Sequence, residues 1–285
     1  MASYSSQQVH DAYAYCQQQV RSHYENFPVA SLILPKHLRQ PISAIYAFAR
    51  NADDFADEGD WDAETRLTKL QEYTAQLEAI ACGDVVDQPV FIALAHSINS
   101  FQLPLQLFHD LLNAFTQDVT KKRYANLQEV WDYCHFSANP VGRLLLHLTN
   151  EATAENLQRS DAICSALQLI NFLQDISQDL AENDRIYLPQ DLMEKYRVDE
   201  QQLHQEQNTE GLQQLIRQLI NEARKKMEFG KPLGRALSGR FGLQLRVMIN
   251  GGLRILTLLE LQEKNLFSRP RLSKADWLRI LLQAI

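Results

Sequence analysis

The chain has 285 residues, a net charge of −7, ten Gly, nine Pro and four Cys. That acidity argues against a nucleic-acid partner, which needs clustered Lys and Arg, and a chain this long can bury roughly 75% of its unfolded surface in one core. Cys16, Cys82, Cys134 and Cys164 are scattered without a CxxC pair and read as reduced, buried thiols of a cytoplasmic protein.

The opening MASYSSQQVHDAYAYC is too polar for a signal peptide. No apolar run approaches the roughly 18 residues that span a bilayer, so the expected location is cytoplasmic, with membrane association at most peripheral. Ser5 to Tyr24 reads as a first helix, and His23 to Pro28 as a turn. Pro41 to Glu58 reads as the next helix, with Pro in the first turn and Gly59 at the stop. Ile42, Tyr46, Arg50, Asp53 and Asp57 fall on one of its faces. A stripe that begins apolar and ends in two carboxylates, with an arginine one turn before, points to a lined cavity.

Asp62 to Cys82 follows, capped by Asp60 or Asp62, stopped by Gly83, and read as outer scaffolding with ordinary solvated charges. Pro89 to Phe101 and Pro104 to Thr120 each open on proline. Asp118, Lys121, Lys122 and Arg123 read either as a surface cluster or as an anion-facing one. Asn126 to Glu129 resembles a capping box for the helix carrying Tyr133, which Pro140 and Gly142 should bend.

From Ser160 to Glu182 no Gly or Pro interrupts a helical pattern. Cys164, Gln168, Asn171, Asp175 and Asp179 share a face, with the two carboxylates roughly 6 Å apart along the axis at about 1.5 Å per residue. One such row alone is most simply a solvated face. Two in one chain can face each other across metal ions and an anion. Asp191 to Glu210 reads as a surface connection, Leu212 to Phe229 as an amphipathic helix and Leu233 to Asn265 as a long apolar one. Gly251 and Gly252 mark a close approach, and Ser273 to Asp276 a final capping box. The fold class is all-α, as one domain. The acids and amides form an all-oxygen set suited to Mg²⁺ rather than zinc, and the absence of Glu-x-x-His argues against a di-iron bundle.

DDFAD after IYAFAR, and QLINFLQDISQD before DRIYLP, resemble the two aspartate-rich motifs of the squalene and phytoene synthases, which join prenyl diphosphates head to head. The similarity runs from about Phe27 to Ser273, and ENFPVASLILPKHLR is similar to the bacterial hopanoid-pathway branch that converts presqualene diphosphate to hydroxysqualene. The resemblance implies a single helical bundle around a central active-site cavity. It implies Mg²⁺ on Asp53, Asp57, Asn171, Asp175 and Asp179, and an isoprenoid diphosphate held by Arg50, Gln168, Asn171, Gln174, Arg185 and Arg269. Tyr46, Tyr133, Arg50, Arg185 and Tyr187 would carry the catalysis. Peripheral membrane contact for product release and neighbouring pathway enzymes complete the implied partners.

Two departures bear on the reaction. Family members that bind two diphosphates usually have Lys where this chain has Glu25 and Arg where it has Gln174. Fewer cations fit a substrate with one diphosphate. No G-x-G-x-x-G follows a strand, which favours capture of the final cation by water over hydride. A complete squalene, dehydrosqualene or phytoene synthase is the first alternative, and a non-catalytic helical scaffold the second.

Overall fold

A computed structural model describes residues 4–22, 35–262 and 265–285. The described residues carry fifteen helices and no strand, as the sparse Gly and Pro require. They gather into two compact units: Met1–Thr120 with Pro140–Thr153, and Lys121–Asn139 with Ala154–Ile285.

In the first unit α1 (Ser6–Ser22), α2 (Lys36–Asp57), α3 (Ala63–Cys82), α4 (Pro89–Phe101) and α5 (Gln106–Thr120) pack around Phe48. Its ring meets Tyr73, Phe91 and Phe108 at centroid distances of 5.6, 6.1 and 5.5 Å. Helix α2 starts at Lys36, so Pro41 stands inside it rather than in its first turn. One internal bond is lost there, which the helix tolerates because Leu38, Ile42, Ile45 and Phe48 bury its inner face.

The sequence reads α3 as scaffolding with solvated charges, and its Arg66 departs from that. The guanidinium donates to the carbonyls of Phe55, Glu58, Gly59 and Trp61 at 2.7–3.1 Å. These are carbonyls at and just beyond the end of α2, where helical partners run out. Asp62 caps α3 through Thr65 N–H, and Gly83 ends it at φ +80°.

The chain then enters the second unit with α6 (Leu127–Ser137) and returns through α7 (Asn139–Leu148), the break at Ala138 falling beside Pro140. Asn126 caps α6 through Glu129 N–H, while the Glu129 carboxylate accepts from Ala125 rather than Asn126, one residue off a capping box. The second acidic helix is two: α8 (Ala154–Gln174) and α9 (Ile176–Asn183), parted at Asp175. Asp184, at φ +49°, terminates α9, with Arg185 N–H reaching back to Asp179 O.

The span 191–210 is not a bare surface connection. It forms α10 (Gln190–Lys195) and α11 (Glu200–His204), burying Leu192, Met193, Val198 and Leu203. Each is too short for a periodic signal, though Asp199 and Gln202 make a full capping box. The next helix, α12 (Glu210–Gly230), lies against α8 so closely that a β-carbon on Gly230 would stand 2.6 Å from Arg159 O. The expected helix from Leu233 divides into α13 (Leu233–Ala236) and α14 (Gly239–Leu261). Gly252 does mark a close approach, a β-carbon there being 2.9 Å from both Leu167 and Met227, whereas Gly251 does not, its nearest neighbour being Leu272 at 4.0 Å. Finally α15 (Lys274–Ala284) begins on the Ser273–Asp276 capping box and is held to α14 by Arg254 Nε on Asp276 at 2.6 Å. All four cysteines are free; Cys16 and Cys134 are buried as expected, but Cys164 is half-buried and Cys82 exposed.

Candidate active site

The first acidic row lies on α2. Ile42 is buried, and Tyr46, Arg50, Asp53 and Asp57 are half-buried one after another along the face. The row is therefore neither core nor open surface. Arg50 grips three acids of its own helix end: Asp54 at 2.7 Å, Asp53 at 3.4 Å, and Glu58. Lost hydration, followed by the Asp57 charge, pushes Asp53 up to about 7; Arg50 pulls it down, and Asp118 and Asp54 push it further up. Asp118 is itself buried, so this member of the basic and acidic cluster is no surface charge.

The second row lies on α8 and α9. Gln168, Asn171, Gln174, Asp175 and Asp179 are all half-buried, whereas Gln178 and Glu182 face solvent. The stripe is not the outer face of its helix. Asp175 sits where the helix opens, and Arg269 Nε meets its Oδ1 at 2.9 Å. Lost hydration raises this carboxyl and Arg269 opposes the rise. Gln174 donates to Pro270 O at 3.0 Å, which fixes the loop carrying Arg269. Sequence spacing places neither contact, since almost a hundred residues separate the partners.

Arg185 is buried, and Nη1 donates to the Tyr187 hydroxyl at 3.2 Å. Arg185, Tyr187, Phe172 and Asp179 line one small cavity. Tyr187 stacks on Phe172 with centroids 3.6 Å apart and planes 8° off parallel, and the Tyr133 and Tyr124 rings close the cluster at 5.7 and 5.3 Å from Tyr187. Tyr133 is thus one of four packed rings. Phe172 and Tyr124 escape a motif reading because an aromatic residue on a buried face looks like any core residue. A wider cleft of about 580 Å³, lined by Trp131, Lys226 and Asn139 among others, contains none of the expected site residues.

Of the basic cluster, Lys121 pairs with Glu129 at 3.0 Å. Arg123 holds both oxygens of Glu200 at 2.7 Å, Asp184 Oδ1 at 2.9 Å, and Asp184 O. Ile186 N–H donates to Lys122 O alongside, so Arg123 anchors the strap that bears Arg185 and Tyr187. Glu25 lies outside the described residues.

These donors suit a hard cation. Each row offers two half-buried carboxylates one turn apart, and a divalent charge would offset both the lost hydration and the neighbouring Asp57 charge that raise Asp53. Among the described residues no three His, Cys, Asp or Glu gather into a closed metal cage. An ion here would keep coordination positions open for water or phosphate oxygens, as Mg²⁺ does.

An all-helical scaffold with two acidic rows, each met by an arginine, defines a class: the enzymes of isoprenoid diphosphates. The chain belongs to the squalene/phytoene synthase family, whose pattern spans residues 20–277. It is 36% identical to the hydroxysqualene synthase of Rhodopseudomonas palustris over 84% of this chain and 80% of that one. With the hydroxysqualene synthase of Sinorhizobium fredii the identity is 32% over the same shares. A squalene synthase from Alicyclobacillus acidocaldarius superposes with a TM-score of 0.84 at 34% identity, covering 92% of this chain and 97% of that one. A dehydrosqualene synthase solved with a ligand gives 0.86 at 25% identity, covering 98% and 96%. No helix among the described residues is long and apolar enough to cross a membrane.

Proposed function

We propose that the protein ionises presqualene diphosphate and converts it to hydroxysqualene, with Mg²⁺ held by Asp53, Asp57, Asn171, Asp175 and Asp179. The observation that carries this reading is the pair of half-buried carboxylate rows, in a chain 32–36% identical over 84% of its length to relatives named hydroxysqualene synthases. When bound, Mg²⁺ neutralises the diphosphate so that it can leave.

The chain's own residues do the rest. Arg50, Arg185 and Arg269 stand at the acidic rows and can donate charge-assisted hydrogen bonds to phosphate oxygens. Arg185 is pre-oriented by the Tyr187 hydroxyl, so little freedom is lost when it engages an anion. Arg269 now neutralises Asp175, and would turn to the diphosphate once that acid serves the metal. Gln168 and Gln174 offer amide donors on the same stripe. Tyr46 and Tyr133 would offer a hydroxyl or ring face to a carbocation, Tyr187 would act through the Arg185 it orients, and water then captures the cation and gives up a proton to the released diphosphate or solvent.

A second reading is a complete synthase condensing two prenyl diphosphates, favoured by the 0.86 TM-score with the dehydrosqualene synthase. Incubation with Mg²⁺ and either presqualene diphosphate or farnesyl diphosphate, with products identified by mass spectrometry, decides between them. Hydroxysqualene from presqualene diphosphate without NADPH, labelled in ¹⁸O-water, is the expected result. Efficient squalene or phytoene formation from simple prenyl diphosphates would establish the condensing synthase instead.

A further inference from the structure

Helix α15 is apolar on two sides. Ile280 and Ala284 are buried, while Trp277, Leu278, Leu281 and Leu282 are 47, 62, 44 and 67% exposed on the outer side, and Ile285 continues their line. Positions 277, 278, 281, 282 and 285 fall within one arc of a helix. An outer arc made of large apolar residues is not a solvated face.

The charge around it has one sign. From Arg269 to Ile285 the chain carries Arg269, Arg271, Lys274 and Arg279 against a single acid, Asp276, in a protein whose net charge is −7. Asp276 is turned inward and consumed by Ser273 and Arg254. Arg271, Lys274 and Arg279 are exposed and make no ion pair among the described residues. Three unengaged cations thus border a stripe of one tryptophan and several aliphatic residues.

We propose that this outer face of α15 docks the protein on an anionic phospholipid surface. Tryptophan suits the boundary between headgroups and acyl chains, leucines suit the depth below it, and Lys and Arg can reach the headgroups. A protein interface also uses Trp and Arg, but adjoining Leu278, Leu281, Leu282 and Ile285 bordered by cations of one sign match an apolar depth beneath an anionic surface. The proposal stands apart from the choice of reaction: binding is read without substrate.

The test is flotation of the full chain with vesicles of equal parts phosphatidylglycerol and phosphatidylcholine, against phosphatidylcholine alone. Flotation is expected with the anionic vesicles, weakening as salt rises, together with a blue shift of Trp277 emission that Trp277→Phe removes. Leu278→Gln with Leu282→Gln should lower partitioning at least ten-fold. Lys274→Glu with Arg279→Glu should lower it about five-fold or more for each charge. These side chains are exposed, so turnover in detergent-dispersed substrate should not change. Failure to float, or flotation indifferent to the leucine changes, overturns the proposal. So does a lipid-free dimer that the same changes dissociate, which would show a second copy covering the face.

Discussion

Replacing Arg123 by Met should loosen the strap that carries Arg185 and Tyr187. The guanidinium makes a two-pronged pair with Glu200 at 2.7 Å, a bond to Asp184 Oδ1 at 2.9 Å, and another to the Asp184 carbonyl. Charge-assisted bonds of this kind contribute about 1.5–3 kcal/mol each when buried. Here both carboxylates are largely open to water and would rehydrate, so most of that is offset and about 2 kcal/mol remains. At roughly 2–4 °C per kcal/mol the melting temperature should fall about 4–8 °C.

The same pair predicts a pH signature. Hydrogen bonds from Arg123 hold Asp184 and Glu200 below the usual carboxylate range. A lowered folded-state value means the stabilisation is present above the unfolded value and is lost as pH falls through the folded one. The gap between wild type and Arg123→Met should therefore be full at pH 7 and shrink below about pH 4. Thermal melts across pH, with kcat measured at neutral pH, check both effects, and kcat should fall because Arg185 follows Asp184 directly. A melting temperature unchanged by the substitution, or a gap constant from pH 7 to pH 3, would refute the reasoning.

Asp53→Asn and Asp175→Asn should each lower kcat by at least about 100-fold, several kcal/mol of transition-state stabilisation, while leaving the melting temperature unchanged or higher, because each removes a carboxylate that burial disfavours. EDTA should abolish turnover and Mg²⁺ restore it; full activity in chelator would end the metal reading. Gly230→Ala should destabilise more than Gly252→Ala, with the former costing about 1–3 kcal/mol in urea melts, since its β-carbon meets a backbone carbonyl whereas that of Gly252 meets side-chain ends, those of Leu167, Met227 and Ile170. Asp276, pushed down to about 2 by Ser273 and Arg254, should lend stability at neutral pH that disappears as pH falls toward 2, a loss that Asp276→Asn should already show at pH 7 in thermal melts.

Most helices were legible because period and punctuation agree. Pro89 and Phe101 bound α4, and Asp62 and Gly83 bracket α3, as their residue types dictate. Legibility failed where an element is shorter than two turns, as in α10 and α11, or where a break has no Gly or Pro, as at Asp175. The half-burial of the first acidic row was foreseen from its apolar lead-in, whereas the second, whose stripe is polar throughout, looks like a solvated face until a second row stands beside it. Their arginines were only partly foreseen. Arg50 is on the same face as Asp53, but Arg269 reaches Asp175 through a loop whose path no local pattern encodes. Arg66, read as a solvated charge, and Arg123, read as either a surface or an anion-facing one, hold segments together because carbonyls leave the helix ends nearby, which only the folded chain reveals.

The break at Ala138 also has a consequence for how the protein is made. The chain crosses from the first unit to the second after Thr120, back after Asn139, and across again after Thr153. Neither unit is a continuous stretch of the gene. On the ribosome, the first unit stays unfinished until Pro140–Thr153 has emerged, by which time α6 has already left the exit tunnel without the α8 it packs on. A nascent chain halted near residue 120 would carry α1 to α5 and still lack α7. Tyr133 lies only a few residues before the second crossing, so it must wait for Phe172 and Tyr187, synthesised after the excursion through Pro140–Thr153, before its ring can take its place.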